Sequence, residues 1–218
     1  MLAVFPVCSI GKGIRNFFDM TRNLDAVRAM ARELDMEPEH CFQVCATALS
    51  LFDQTRDLHE LGDGERDLLE AAALLHDTGY RHGVRRHHKY SRDIILSQDL
   101  PGFSETEKKI VACVARYHRK AAPREAHGVY RDLSPDEQRT VQRLAAILRI
   151  ADGLDRLHVA SAQAVTVARR GMTVLILVRQ RRPSPTDIWG GLRKANLFSE
   201  TFGVRVDIVP EEVHDNGA

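Results

Sequence analysis

A chain of 218 residues with 44% apolar and 28% charged residues can bury a real core, as one large domain or one domain plus a small appendage. A net charge of +1 and 6% aromatic residues lack the electrostatic and stacking footprint of a nucleic-acid binder, and no apolar run reaches transmembrane length. Cys8, Cys41, Cys45 and Cys113 fit neither a disulfide framework nor a zinc-finger spacing. Reduced thiols in a cytoplasmic protein are therefore expected. The apolar part of the N-terminus, MLAVFPVCSIGKG, is too short for a secretion signal.

Residues 1–20 are weakly patterned and read as an irregular arm. Helical periodicity begins near Asn23 and breaks at Pro38. A second helix, from Pro38 to about Gln54, carries His40, Val44, Ala48 and Leu51 on one face. Cys41 and Cys45 lie one turn apart there and read as small buried residues rather than a metal clip. After the loop HELGDG comes an apolar helix, LLEAAALLHDTGY over 68–80. On it Leu69, Ala72, Ala73 and His76 share a face, and Asp77 closes the same turn. Burying such an ionisable pair costs several kcal/mol unless something compensates. The run RHGVRRHHKYSRDIIL becomes helical by Ser91–Leu96. Ser104 and Glu107 form a capping box opening a helix on which Val111, Val114 and His118 align. The segment AAPREAHGVYRDL is a loop of a length that often borders a site. Ser134, Pro135 and Glu137 start a further helix with Val141, Ala145, Leu148 and Asp152 on one stripe. Beyond Ala160 the pattern changes to two strands around Arg170–Gly171, a helix from Ser184–Pro185, and a last strand, GVRVDIV. The expected fold is mainly α. It comprises a helical domain over residues 1–160 and a small α+β appendage of ββαβ order over 161–218.

Four helices each place an ionisable residue on an apolar stripe: His40, His76 with Asp77, His118, and Asp152. One such residue is ordinarily a hydrogen-bonded core side chain. Four together point to a bundle whose facing helices aim nitrogen and carboxylate ligands at one ion. Two imidazoles and two carboxylates suit Mn, Fe, Co, Ni or Zn, and the oxygen ligands also admit Mg.

His40, then LLHD at 74–77, then RIADGLD at 149–155 resembles the H…HD…D signature of HD-domain metal-dependent phosphohydrolases. The runs HDTGY, RRHHKYS, SQDLPGF, ARYHRK and LRIADGLDR are similar, in order, to the C-terminal region of the exopolyphosphatase/guanosine pentaphosphate phosphohydrolase family, from roughly Gly13 to Val209. That resemblance implies an HD-type helical bundle. It also implies that the two actin-like ATPase-type domains of that family, with their polyphosphatase site, are absent, so exopolyphosphatase activity is not inherited. By the HD pattern His40, His76, Asp77 and Asp152 hold one ion. Asp77 bridges to a second ion held by His118 and either His87 or His88. Tyr80 stands where HD enzymes often carry lysine, so the phosphate contact must come from elsewhere.

Arg85, Arg86 and Lys89 lie beside the candidate histidines, Arg116, Arg119 and Lys120 flank His118, and Arg149 lies one turn before Asp152. These are the candidate substrate-binding cations, set against a solvated basic face. Arg149 and Arg156 could equally orient Asp152, and Asp155, one turn after Asp152, could be a ligand or catalytic acid but is expected in a helix-surface salt bridge. His59, His82, His127, His158 and His214 are expected in solvent. Trp189 and Gly190–Gly191 are read as packing against the body, and the appendage as serving dimerisation or docking. The expected function is divalent-metal-dependent hydrolysis of a phosphoester or phosphoanhydride in a nucleotide or related compound. It would run through a metal-activated water, with Asp77 and His118 at the reacting centre. The alternative is a non-catalytic regulatory module binding a nucleotide, alarmone or polyphosphate. A homodimer is compatible with either.

Overall fold

Apolar residues at helical spacing build α1 (Leu24–Leu34), α2 (Pro38–Gln54), a single turn α3 (Arg56–His59), α4 (Asp63–Leu75), α5 (His87–Ser97), α6 (Glu105–Arg116), a single turn α7 (Gly128–Arg131) and α8 (Pro135–Gly153). Strands β1 (Ala162–Arg170) and β2 (Thr173–Gln180), helices α9 (Pro185–Lys194) and α10 (Asn196–Phe202), and strand β3 (Arg205–Pro210) follow. This computed structural model describes residues 22–211. The arm expected over residues 1–20, Cys8 and His214 lie outside the described residues.

Cap chemistry fixes the start of the two helices that matter most for the site. Ser104 and Ser134 accept from the amides of Glu107 and Glu137, whose carboxylates accept from the cap amides in return. Each such exchange satisfies two amides that the helix leaves unpaired. From Ser134 runs α8, buried without interruption from Leu144 to Gly153 because α2, α4, α6, α9 and α10 all pack around it. Leu144, Ile147, Leu148 and Ile150 are fully buried. At about 1.5–3 kcal/mol each, this helix anchors the core.

The appendage sheet has the order β1-β2-β3. β1 and β2 are antiparallel, and Gly171 (φ 58°) supplies the left-handed backbone of the turn. β2 and β3 are parallel, a pairing that needs a crossover, provided here by α9 and α10. Val174, Ile176, Val178, Val206 and Ile208 turn inward and join the same contiguous core as the helices. The single helix expected in the appendage is two, broken at Ala195, so its order is ββααβ. Helix α5 starts at His87, four residues before the expected Ser91, and a turn of helix interrupts the expected loop at Gly128–Arg131. No helix among the described residues is long and apolar enough to cross a membrane.

Candidate metal centre

Helices α2, α4, α5, α6 and α8 converge on the Asp77 carboxylate. His76 caps α4, and the chain turns through Asp77, Thr78 and Gly79 directly against α5. A methyl group on Gly79 would lie 2.3 Å from the carbonyl oxygen of His87 and 2.4 Å from the amide of Ser91. Glycine is required here for backbone approach rather than for conformation. Its amide donates to Ser91 Oγ at 3.0 Å. That contact carries His87 to Asp77.

The two oxygens of Asp77 face different pairs of imidazoles. Oδ2 lies 3.7 Å from His40 Nε2 and 3.6 Å from His76 Nε2, whereas Oδ1 lies 3.3 Å from His87 Nε2 and 3.5 Å from His118 Nε2. On the first side Asp152 Oδ1 stands 3.7 Å from His40 Nε2. His40, His76 and Asp152 form one group whose ligand atoms lie within 4.8 Å of each other, and Asp77, His87 and His118 form another.

Tautomer is set from behind. His76 Nδ1 lies 2.7 Å from Ala73 O, His118 Nδ1 2.6 Å from Ala115 O, and His87 Nδ1 2.9 Å from Val84 O. A carbonyl only accepts, so each Nδ1 carries the proton and each Nε2 presents a lone pair to the centre. Burial lowers the pKa of both His87 and His118, which keeps them neutral. Their Nε2 atoms nevertheless sit 3.0 Å apart, two acceptors facing one another. His40 Nε2, His76 Nε2 and Asp77 Oδ1 are buried with no hydrogen-bond partner among the described residues. The facing lone pairs of His87 and His118 and the orphaned Asp77 oxygen are relieved by a cation, so the side chains fit the divalent ions expected from their types.

Charge around His40 and Asp152 points the same way. Burial opposes protonation of His40, but the carboxylates of Asp152, Asp155 and Asp77 outweigh it and raise its pKa to about 10. Asp152 is held well below the usual carboxylate range: burial opposes ionisation, but Lys194, His40, His118 and His76 prevail. The buried carboxylates thus demand positive charge.

Several expectations need correction. Asp155 is in no surface salt bridge. It is buried, accepts a hydrogen bond from His40 Nδ1 at 2.9 Å, and accepts from the amides of Val159 and Ala160. It therefore orients His40 from behind and ties down the chain leaving α8, where His158 and Ala160 have positive φ. His158 is exposed, as expected, but it is also engaged at the centre. Its ring stacks on that of His40 at 3.7 Å, it pairs with Glu37, and it lies within ligand distance of His40 and Asp77. His59 is fully buried, its Nε2 2.8 Å from Phe52 O and its Nδ1 accepting from the Leu61 amide, so local backbone satisfies it. Between the adjacent pair, His87 enters the cluster. His88 meets His87 and His118 only edge-on, at 5.8 and 6.4 Å.

The cations divide as well. Arg119, Lys120 and Arg149 line a cavity beside the centre, together with Arg156, Arg193 and Lys194. Arg85, Arg86 and Lys89 lie on the exposed outer face of the turn into α5. Arg116 is buried beside Tyr117 and away from the cavity, because two residues before His118 means roughly 200° of helical rotation. Lys194, on the appendage helix α9, pairs with Asp152. The sequence reading missed it, since a lysine in the last turn of a helix reads as a dipole-stabilising surface charge. Cys41 and Cys45 are buried thiols with pKa values pushed up by burial, as expected of small core residues.

Residues 23–173 match the family model described as Ppx/GppA phosphatase, domain III. Among curated relatives, a guanosine-5'-triphosphate,3'-diphosphate pyrophosphatase of Pseudoalteromonas atlantica is 26% identical over 141 residues, covering 63% of this chain and 27% of that protein. The enzyme of the same name from Aeromonas hydrophila is 30% identical over 127 residues, covering 56% of this chain and 24% of that protein. That of Pseudoalteromonas translucida is 40% identical over 52 residues, covering 24% of this chain and 10% of that protein. This chain therefore spans about a quarter or less of the length of these relatives. With its core helices, its HDTG turn and β1 all inside the matched region, the chain belongs to the Ppx/GppA phosphatase domain III family.

Proposed function

We propose that this protein is a divalent-metal-dependent phosphohydrolase of HD type, acting on a phosphoester or phosphoanhydride of a nucleotide or related phosphorylated compound. The observation that carries the reading is the Asp77 carboxylate, each of whose oxygens faces its own pair of imidazole Nε2 atoms. In this reading His40, His76 and Asp152 would hold one ion and His87 and His118 a second, with Asp77 as a ligand common to both groups. Ions bound there supply a water acidified toward neutral pH and charge to stabilise the departing oxygen. The chain's own contributions are geometric and electrostatic. Asp155 holds His40 in place, Ala73, Ala115 and Val84 fix the tautomers, and Tyr80 stacks on His87 at 4.4 Å. Arg149 donates to Tyr117 O and Ala121 O and so holds the segment bearing His118. The helical domain, residues 1–160, carries the metal centre, and the appendage, 161–218, closes one wall of the adjoining cavity. The names of the relatives suggest a guanosine nucleotide bearing several phosphates as one substrate to try.

The test is hydrolysis of a panel of nucleotides and phosphodiesters with Mn or Co, in parallel with Asp77→Ala whose folding is checked by circular dichroism. Metal-dependent turnover lost in the variant is expected. A variant as fast as the parent would overturn the mechanism. The cation-lined cavity favours a second reading, a regulatory module that binds a nucleotide, alarmone or polyphosphate without turnover; ligand binding with no turnover under any metal would select it.

A further inference from the structure

The basic cavity has a volume of about 540 Å³, within the range of small-molecule sites. Three cations reach it from the helical body, Arg119, Lys120 and Arg149. Arg156 follows α8, and Arg193 and Lys194 come from α9. No carboxylate of the described residues lines it. Among the described residues only Lys194 of these six is in an ion pair, and its partner is Asp152. A solvated basic face would intersperse acids and keep its cations in water. Here Arg149 is 2% exposed, with burial lowering its pKa to about 10. Gathering unpaired cations around a concavity is unfavourable unless an anion enters it.

The wall is built rather than incidental. A Cβ on Gly190 would lie 2.3 Å from Gly153 O, and one on Gly153 would lie 2.6 Å from Gly190 O, so α8 and α9 touch backbone to backbone. That contact sets Trp189 and Arg193, one turn apart on α9, at the cavity. Trp189 is 49% exposed, with the Arg193 and Arg156 guanidinium carbons 4.9 and 5.9 Å from its ring centre. Its other edge borders an apolar groove of about 290 Å³ that includes Pro183, Pro185, Ile188 and Leu192. A bare oligophosphate would gain nothing from an aromatic plane beside an apolar groove. A planar base would.

We propose that the cavity between α8 and α9 is a nucleoside oligophosphate site in which the arginines hold the phosphates and Trp189 stacks on the base. The appendage thereby supplies substrate recognition, and Lys194, reaching from the cavity to Asp152, places the phosphates beside the metal centre. This deepens, and rests on, the phosphohydrolase reading.

Trp189 is the one tryptophan of the chain, so its fluorescence reports on this cavity alone. The full chain is titrated with guanosine 5'-(β,γ-methylene)triphosphate and, separately, with inorganic tripolyphosphate, with and without Mn. Quenching by the nucleotide analogue is expected, with about tenfold tighter binding than tripolyphosphate. Arg156→Ala/Arg193→Ala should weaken both probes by about thirtyfold. Trp189→Leu, followed by calorimetry, should weaken the nucleotide by about tenfold and leave tripolyphosphate unchanged. Thermal melts confirm folding of each variant. Equal affinity for the two probes, or an unaltered nucleotide affinity in Trp189→Leu, overturns the base-stacking assignment. Parent-like binding of both probes by the double arginine variant overturns the site. Metal content and turnover are measured alongside. Arginine-independent binding by a metal-loaded, active protein sinks the inference alone, whereas arginine-dependent binding by a protein that takes no metal sinks the phosphohydrolase reading alone.

Discussion

Gly79→Ala tests whether the close approach of the HDTG turn to α5 assembles the centre. The added methyl would meet His87 O at 2.3 Å, Ser91 N at 2.4 Å and Tyr90 Cβ at 2.7 Å. Unstrained carbon contacts begin near 3.5 Å, so α5 must retreat by roughly 1 Å. Two of the three obstacles are backbone atoms that no rotamer change can move. Overpacking of this kind costs about 1–3 kcal/mol, and straining the hydrogen bond from Gly79 to Ser91 adds about 0.5–1.5 kcal/mol. For a chain of this size the sum lowers Tm by roughly 5–15 °C. The same retreat draws His87 Nε2 away from Asp77 Oδ1, now 3.3 Å distant, and leaves the His40, His76 and Asp152 group in place. Calorimetric melting and elemental analysis after reconstitution with Mn should therefore show a lower Tm and the loss of one ion rather than both. A variant melting within about 1 °C of the parent with unaltered metal content would refute the reasoning.

Asp155→Ala removes the acceptor for His40 Nδ1 and for two amides. Stability should fall by about 2–4 kcal/mol in denaturant titration and metal affinity by about 10–100-fold; an unaltered affinity would remove Asp155 from the account. Because the His40 pKa is raised to about 10, an ion taking Nε2 must displace a proton. Metal affinity should then rise by about tenfold per pH unit between pH 7 and 9, and a flat profile would contradict this. Burial, with Arg119 and His87 nearby, lowers the pKa of His88 from 6.5 to about 4. Between those values the folded state binds fewer protons than the unfolded, so the stability His88 contributes is whole above pH 6.5 and is lost as pH falls toward 4. Melts at pH 7, 5.5 and 4.5 should decline less steeply in His88→Gln than in the parent, and parallel slopes would exclude this residue as the cause.

Much of the centre is legible in the sequence, because helical periodicity alone carries a side chain to the core. His40, His76 and Asp152 lie on their apolar stripes, and the structure brings them together. His118 falls two residues past the end of α6, still in step with Val111 and Val114. Choosing between His87 and His88 is beyond such reasoning, since adjacent residues point about 100° apart and the phase depends on how α5 docks on Gly79. The placement of His158 and Asp155 beside His40 is illegible for a related reason. They follow the last turn of α8, in a segment with left-handed residues where periodicity has no meaning. Lys194 and the cavity wall are illegible because the contact of α9 with α8 joins residues 37 positions apart, from Gly153 to Gly190, through two glycines that in sequence read only as weak helix formers. The burial of His59 is illegible because a single helical turn, α3, is too short to show a pattern.

The most direct measurement is metal stoichiometry: titration of the full chain with Co(II), followed by absorption and by calorimetry, for the parent, His118→Ala and Asp77→Ala. Two ions per parent chain, one in His118→Ala, and a sharp loss of affinity at both sites in Asp77→Ala are predicted. A parent chain that takes up no ion, or an Asp77→Ala chain that binds as many as tightly, would contradict the claim that this carboxylate joins two metal sites.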